Sequence, residues 1–186
     1  MQLRFQLNAP ENPADHSLGP LDARVAVVEY GDFECPNCKQ VAPVVKLILH
    51  RFAGRLRFVY RHFPLEEVHP HALQAAEAAE CADAQGRFWQ MHDLLFDNQA
   101  HLKTNQLHNY AERLQLEMGR YAADMKDRTY LQRIREHQQG GRDSGVRSTP
   151  TFFVNGSLHD VSFGLVRLVQ AVETLLPPLP PVTPSS

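Results

Sequence analysis

The chain has 186 residues, of which 43% are hydrophobic, and its formal net charge is -2. A chain of this length can bury one substantial core, so we expect one domain with an insertion rather than two domains. The near-neutral charge balance supplies no basic field for nucleic acid, and no apolar run approaches the roughly 18 residues needed to cross a bilayer. Neither nucleic acid nor a membrane is therefore expected as a partner.

The N-terminal residues and the cysteine count bear on the compartment. Residues 1–8 lack a charged segment followed by a continuous apolar run, so we expect no secretory signal. The chain holds 3 cysteines, too few and too odd a number for a secreted disulfide framework. We therefore expect a cytoplasmic, reducing location, or an exported one if the sequence is trimmed.

The first part of the chain predicts two strands joined by a connecting arm. Apolar and polar residues alternate over residues 3–7, as in a half-buried strand. Residues 8–20 are rich in Pro, Asn, Asp and Gly, which favour a loop. Residues 25–30 are almost wholly apolar, which suits a central strand covered on both faces.

The segment after Cys35 predicts a helix that packs on this central strand. Pro36 stands in the first turn, where a helix tolerates proline best, and apolar residues then recur at helical spacing until Gly54. Residues 56–60 predict the next strand. Because a helical crossover joins the two strands, we expect them to be parallel neighbours.

Residues 62–145 have helical character throughout. Apolar residues repeat at spacings of three and four in several short segments, and the glycine-rich residues 140–145 predict the end of this block. Strand character returns at residues 151–154, and the following Asn155-Gly156 pair predicts a hairpin. A last amphipathic helix capped by Ser162 and a proline-rich, disordered tail complete the chain.

Cys35-Pro36-Asn37-Cys38 connects the central strand to its helix. Two thiols separated by two residues can close a small disulfide ring. The unpaired N–H groups and the dipole of a helix N-terminus favour the thiolate, which is the form that attacks disulfides. The pattern predicts a redox pair. Half of a zinc site is the alternative, but zinc usually has four N or S ligands and no second close pair stands out.

This order of elements, with a cysteine pair between the first core strand and its helix, resembles the DsbA-type family of thioredoxin-like disulfide oxidoreductases. The segments that carry the resemblance are Val28–Cys38, Arg61–Pro64, Ala75–Ala82, Gly86–Phe96 and Thr149–Gly156. It implies an α/β, thioredoxin-like fold, in which a central mixed sheet is flanked by helices and an all-helical subdomain is inserted. The expected parts are an N-terminal strand and arm, a first core part, the helical insertion, a second core part and the tail: residues 1–24, 25–61, 62–145, 146–176 and 177–186.

The resemblance also implies the roles of the site residues. Cys35 is the attacking thiolate and Cys38 the resolving thiol, which exchange through a mixed disulfide. The bond before Pro150 is cis in the family and lies opposite the cysteines, so that the backbone of Thr149 pairs with an extended substrate. An ordinary proline that begins a strand is the alternative.

Glu29 lies six positions before Cys35, where thioredoxin-like proteins often carry a buried acid beneath the dithiol. A carboxylate of raised pKa there would accept the proton of Cys38, whereas a strand-edge glutamate facing water is the alternative. Pro36 and Asn37 are expected to tune the reduction potential at the substrate-facing end. Because Asn37 has no formal charge, we expect a less oxidising couple than in relatives with histidine there.

The remaining cysteine and the histidines give weaker signals. Cys81 is expected to be a small buried hydrophobe, with a third redox thiol as the alternative. The 10 histidines are scattered, which favours solvated positions over a metal site, and no metal or other cofactor is expected.

The leading function is thiol–disulfide exchange with protein, peptide or small-molecule substrates, in the reductase or isomerase direction, together with a redox partner. The alternatives are an exported dithiol oxidase and a chaperone-like peptide-binding protein with a regulatory dithiol.

Overall fold

A computed structural model describes residues 6–159 and 166–176, and within them one mixed sheet of five strands forms the centre. The strands are β1 (His16–Leu18), β2 (Val25–Gly31), β3 (Leu56–His62), β4 (Thr151–Val154) and β5 (Ser157–His159). Their spatial order is β1-β3-β2-β4-β5. Only β2 and β3 pair in parallel, and the helix that follows β2 makes the crossover between them. The prediction of two parallel neighbours is confirmed.

Helices cover the sheet and form the segment between β3 and β4. They are α1 (Pro36–Arg51), α2 (Ala72–Asp83), α3 (Phe88–Asp97), α4 (Thr104–Arg113), α5 (Met118–Asp127), α6 (Leu131–Asp143) and α7 (Val166–Leu175). The five helices from α2 to α6 follow one another where the sequence predicts a helical insertion. None of the helices among the described residues is both long and apolar enough to cross a bilayer.

Strand β2 is buried on both faces, and its register decides which side chains lie beneath α1. Val25 and Val27 pack in the same core cluster as the cysteine pair and α1, whereas Val28 and Tyr30 belong to a separate cluster. Alternation along the strand therefore places Glu29 on the face that α1 covers. Its neighbours in the pairing register are Tyr60 of β3 and Phe152 of β4.

The hairpin prediction is confirmed by β4 and β5. Asn155 and Gly156 both have positive φ, of 46° and 76°, as a two-residue turn of this kind requires. The last helix among the described residues is α7. Ser162, most of the predicted strand over residues 3–7 and the proline-rich tail lie outside the described residues.

The prediction of a loop over residues 8–20 is wrong at His16–Leu18, which pair with β3 as an antiparallel edge strand. Asp15, directly before this strand, places its carboxylate 2.9 Å from the guanidinium of Arg61, and both side chains are buried. The arm is therefore held by partners on β3 that stand far away in the sequence. Local composition contains no sign of such partners.

The glycine-rich segment also differs from its prediction, because Gly140 and Gly141 lie inside α6 and the helix ends only at Asp143. A Cβ atom on Gly141 would lie 2.8 Å from the ring of Phe63 and 3.0 Å from that of Tyr30. The glycine thus permits a close approach of helix and sheet rather than a reversal of the chain.

Gly141→Ala is expected to lower the free energy of unfolding by about 1–3 kcal/mol, because the added methyl group must displace a buried aromatic ring. Gly140→Ala is the matched control in the same helix, since its Cβ would meet atoms only at 3.7 Å and beyond. The control should gain up to about 1 kcal/mol from helix propensity. Urea denaturation of both variants checks this, and equal stabilities would contradict the packing argument.

Candidate active site

The cysteine pair lies at the N-terminus of α1, as the sequence predicts. Cys35 is the N-cap residue, with extended backbone angles, and Pro36 occupies the first turn. Lys39 donates its backbone N–H to the Cys35 carbonyl at 3.2 Å, which begins the helical hydrogen-bond pattern. Cys38 follows within the first turn and is fully buried. Both cysteines are free thiols in this structure.

The segment before β4 faces the first cysteine. The Thr149–Pro150 peptide bond is cis. In its protonated form the Cys35 thiol donates a hydrogen bond to the Thr149 carbonyl oxygen, with an Sγ–O distance of 3.3 Å. The structure therefore brings together three of the residues that the resemblance assigns to the site. Their roles in binding substrate stay predictions.

The two thiols have opposite acidities. A hydrogen bond from Cys38 lowers the pKa of Cys35 to about 5, against the effect of burial, and the backbone amides of Cys38 and Asn37 act in the same direction. Burial raises the pKa of Cys38 well above its ordinary value. At neutral pH the site therefore holds one thiolate and one neutral thiol. This difference is what the predicted roles require, with Cys35 as the nucleophile and Cys38 as the resolving thiol. The roles themselves stay predictions.

Glu29 is buried beneath α1, with 3% of its surface exposed, rather than facing water at a strand edge. Burial raises the pKa of its carboxyl group to about 8, and the charge of Cys35 adds to the shift. The hydroxyl group of its register neighbour Tyr60 is buried and has no hydrogen-bond partner among the described residues. Glu29 can thus be protonated or ionised near neutral pH, which suits a group that exchanges a proton.

Asp32 anchors the segment that leads to Cys35, a role that the sequence analysis missed. Its buried carboxylate accepts the backbone N–H groups of Glu34 at 2.7 Å and Leu65 at 2.8 Å, and lies 2.8 Å from Nδ1 of His69. One carboxylate therefore ties the active-site segment to the loop that follows β3.

Gln99 was also missed, and it holds the same segment from the side of the insertion. Its Nε2 donates to the carbonyl oxygens of Phe33 at 2.8 Å and Cys35 at 2.9 Å. Glu34 extends this contact by binding the backbone and ring nitrogens of His71, at 2.6 and 2.9 Å. A lone glutamine after a helix gives no signal of such a role in the sequence.

The exposed edge of the site consists of Pro36 and Asn37. Both side chains are open to a partner molecule, while the sulfur atoms beside them are buried. This arrangement can admit a substrate at the Cys35 sulfur and keep bulk solvent from Cys38. Their part in substrate binding stays a prediction.

Metal ligation at the cysteines has no support among the described residues. The one group of three or more His, Cys, Asp and Glu side chains found close enough to share an ion there is His16, His62 and Glu80. It contains neither active-site cysteine. It also corrects the expectation of solvated histidines, because His16 and His62 are both buried.

Cys81 is buried in α2, and burial raises its pKa to about 12. The predicted burial of Cys81 is therefore confirmed, and its role as a small hydrophobe stays a prediction. A thiol of such high pKa has almost no nucleophilic thiolate at neutral pH.

The comparisons with known proteins agree with this geometry. The protein family described as Thioredoxin matches residues 11–174. Among solved structures, BdbD from Bacillus subtilis superposes with a TM-score of 0.82 at 22% identity, covering 93% of this chain and 97% of that one. DsbA2 from Pseudomonas aeruginosa superposes with a TM-score of 0.69 at 25% identity, covering 91% and 99%.

The curated relatives that match this chain are named as antiporters and not as disulfide oxidoreductases. A Na(+)/H(+) antiporter NhaA 1 from Salinispora arenicola is 49% identical over 169 residues, which are 90% of this chain and 26% of that protein. A protein of the same name from Mycolicibacterium vanbaalenii is 36% identical over 90% of this chain and 27% of its own length. The chain spans about a quarter of the length of the curated relatives it matches.

The sheet, the helical insertion and the dithiol at a helix N-terminus define a thioredoxin-like α/β protein. The chain belongs to the thioredoxin family. Its fold is that of the solved structures of BdbD and DsbA2. The expectations of fold class and family are confirmed. The boundaries of the five predicted parts stay predictions.

Iodoacetamide should modify Cys35 with a rate that rises with pH around an inflection near 5, because only its thiolate reacts. Cys38 and Cys81 should stay unmodified below pH 8. Cys38→Ala should move the inflection of Cys35 to higher pH, since the hydrogen bond from Cys38 is lost. Peptide mapping after timed labelling measures this. Equal labelling of Cys35 and Cys38 would contradict the assigned acidities.

Glu29→Gln should stabilise the reduced protein at neutral pH. The pKa of Glu29 is raised in the folded chain, from 4.5 to about 8, so the unfolded chain loses its proton first and stability falls as pH rises between these values. The variant escapes this loss, a gain of about 3 kcal/mol at pH 7 and none at pH 4. Denaturation at both pH values checks the sign, and a pH-independent difference would contradict it.

Proposed function

We propose that the chain is a thiol–disulfide oxidoreductase that exchanges disulfides with protein substrates through Cys35 and Cys38. The observation that carries this proposal is the low-pKa thiol of Cys35, 3.3 Å from the Thr149 carbonyl and beside a buried second thiol. The likeness of the fold to DsbA-like proteins supports it.

The exchange proceeds in two displacements. The Cys35 thiolate attacks one sulfur of the substrate disulfide, forming a mixed disulfide while the other substrate sulfur leaves as a thiolate. Cys38 then gives its proton to Glu29 and attacks the Cys35 sulfur, which releases the first substrate sulfur. The substrate gains two electrons, and the cysteine pair becomes a disulfide. A second thiol compound or protein must return it to the dithiol.

Glu29 suits the proton transfer of the second step. The pKa of its carboxyl group is about 8, so a fraction of the carboxylate is present at neutral pH. Glu29 also lies on the sheet face that α1 and Cys38 cover. Loss of the Cys35 charge on forming the mixed disulfide removes one cause of the raised pKa. More of Glu29 is then ionised, so the carboxylate that accepts the proton is present in the buried interior, where water is scarce.

The substrate surface is proposed to consist of the Thr149 backbone beside the exposed Pro36 and Asn37. An extended peptide that pairs with Thr149 would bring its own disulfide sulfur toward Cys35. Hydrogen bonds to the backbone are independent of side chains, so this geometry supports a broad range of unfolded protein substrates rather than one small molecule.

The acidity of Cys35 bears on the reduction potential of the cysteine pair, and so on whether the pair oxidises or reduces its substrate. Its pKa of about 5 lies between those of thioredoxin, about 7, and DsbA, about 3.5. Stabilising the thiolate stabilises the dithiol form, so we propose a reduction potential between about -270 and about -120 mV. In a reducing, cytoplasmic compartment such a pair rests as the dithiol and acts as a reductase or isomerase. In an exported location it would act as an oxidase.

The names of the curated relatives support a second, compatible proposal. Since the chain matches about a quarter of proteins named Na(+)/H(+) antiporters, we propose that this unit works together with a cation–proton antiporter. Antiport in vesicles that hold the Salinispora arenicola relative, with this chain or its Cys35→Ser and Cys38→Ser variants replacing the matching 169 residues, tests this under reducing and oxidising glutathione. Redox-dependent antiport that requires the cysteines supports it, and antiport independent of both contradicts it.

The purified, reduced protein should reactivate scrambled ribonuclease at a rate that falls at least about 100-fold in Cys35→Ser, since the attacking thiolate is lost. Titration against glutathione mixtures, with alkylation and mass measurement, should place the potential within the range proposed above. Cys81→Ser is the control that keeps full activity. Unchanged reactivation by Cys35→Ser would contradict dithiol chemistry and favour a chaperone-like holder of peptides.

A further inference from the structure

A second cluster of reactive side chains lies outside the mechanism proposed above. His16 of β1, His62 at the end of β3 and Glu80 of α2 meet in the interior, each no more than 4% exposed. Nε2 of His16 lies 2.8 Å and Nε2 of His62 lies 2.9 Å from the same Glu80 oxygen, Oε1. Three elements that are distant in the sequence thus aim ligand atoms at one point.

The atoms have the chemistry and nearly the spacing of a transition-metal site. Two imidazole nitrogens and one carboxylate oxygen, all within 4.8 Å of one another, are a ligand set that suits Zn²⁺. Bonds of about 2.0–2.2 Å in a tetrahedron would separate the ligand atoms by about 3.3 Å. The observed distances of 2.8 and 2.9 Å need to open by only about half an ångström.

Two atoms of this cluster, Glu80 Oε2 and His62 Nδ1, lack a hydrogen-bond partner among the described residues. Glu80 Oε2 is buried and accepts no hydrogen bond from any described residue. Burying an unmatched carboxylate oxygen costs free energy, so such an atom in a native interior calls for a bound species. A cation between the two imidazoles and Glu80 would satisfy it.

A further carboxylate orients one of the imidazoles. Asp83 Oδ1 lies 3.3 Å from Nδ1 of His16, the nitrogen that points away from Glu80. Metal-binding histidines usually donate this second N–H to a carboxylate or a carbonyl oxygen, which fixes the ring and makes it a better ligand.

The Arg133 guanidinium opposes a cation at this cluster. Its Nε lies 3.3 Å from Glu80 Oε1, and its Nη1 lies 3.8 Å from Asp83. The side chain is 30% exposed and lines a cavity of about 450 Å³ together with His16 and Asp83. To admit an ion the guanidinium, which also donates to the Ala14 carbonyl oxygen, would have to move toward solvent, and the same cavity provides a path for the ion.

We propose that His16, His62 and Glu80 bind one divalent transition-metal ion, with Zn²⁺ as the best match, in competition with the Arg133 guanidinium. The bound ion would join the N-terminal arm, the sheet and the helical insertion at one point. Because it binds the folded chain, it would raise the unfolding temperature by an amount that grows with the logarithm of the metal concentration divided by Kd. Its role is structural, and it does not depend on disulfide exchange.

The test uses the oxidised protein, in which the disulfide removes the thiolates of Cys35 and Cys38 as competing ligands. Titration with Zn²⁺ in a calorimeter should give one ion per chain, with a rise in the unfolding temperature. Titration with Co²⁺ should give the intense visible absorption of a tetrahedral site. No binding at 100 μM metal, on the order of 10⁻⁴ M, would overturn the proposal.

Variants locate the ion. Glu80→Gln and His16→Gln should each weaken binding by about 100-fold, and Arg133→Met should strengthen it by about 10-fold. His108→Gln, at an exposed histidine elsewhere, is the matched control and should bind as the parent does. If Glu80→Gln fails to fold, the affinity of His16→Gln for the metal tests the site. Unchanged affinity in His16→Gln would place the ion elsewhere and overturn the proposal.

Discussion

The difference in acidity between Cys35 and Cys38 is the physical constraint on which the chemistry of this protein depends. In water, two cysteines would lose their protons over the same pH range. Here a hydrogen bond from Cys38 lowers one pKa to about 5, and burial raises the other well above its ordinary value. At neutral pH one sulfur is thus a thiolate and the other a neutral thiol, as a two-step exchange requires.

The fold keeps this difference by fixing the segment around the cysteines from three sides. Strand β2 brings the chain to the N-terminus of α1, Asp32 ties the turn to the loop after β3, and Gln99 holds it from the insertion. The Thr149 carbonyl closes the fourth side at 3.3 Å. The burial of Glu29 lowers stability at neutral pH, and the same burial raises the pKa of its carboxyl group to about 8, as the proposed proton transfer requires.

Much of the site could be predicted because its parts are local in the sequence. Cys35 and Cys38 form one short motif, and the strand before them and the helix after them have clear periodicity. Glu29 and Pro150 became candidates through the family resemblance, and the structure places Glu29 beneath α1 and Pro150 after a cis bond.

What could not be predicted depends on contacts between distant residues. Strand β1 is too short to show a pattern, and the Asp15–Arg61 pair that holds it spans the arm and β3. The histidines were expected in water because their spacing is irregular along the chain. His16 and His62 meet only after the sheet and α2 have formed.

The central claim is that Cys35 alone attacks the substrate and that Cys38 resolves the mixed disulfide. Trapping tests it most directly: Cys38→Ser and Cys35→Ser are each mixed with an unfolded protein that carries a disulfide, and the covalent adducts are mapped by mass spectrometry. The account predicts a long-lived adduct through Cys35 in Cys38→Ser and none through Cys38 in Cys35→Ser. Adducts of equal yield in the two variants, or adducts through Cys81, would contradict it.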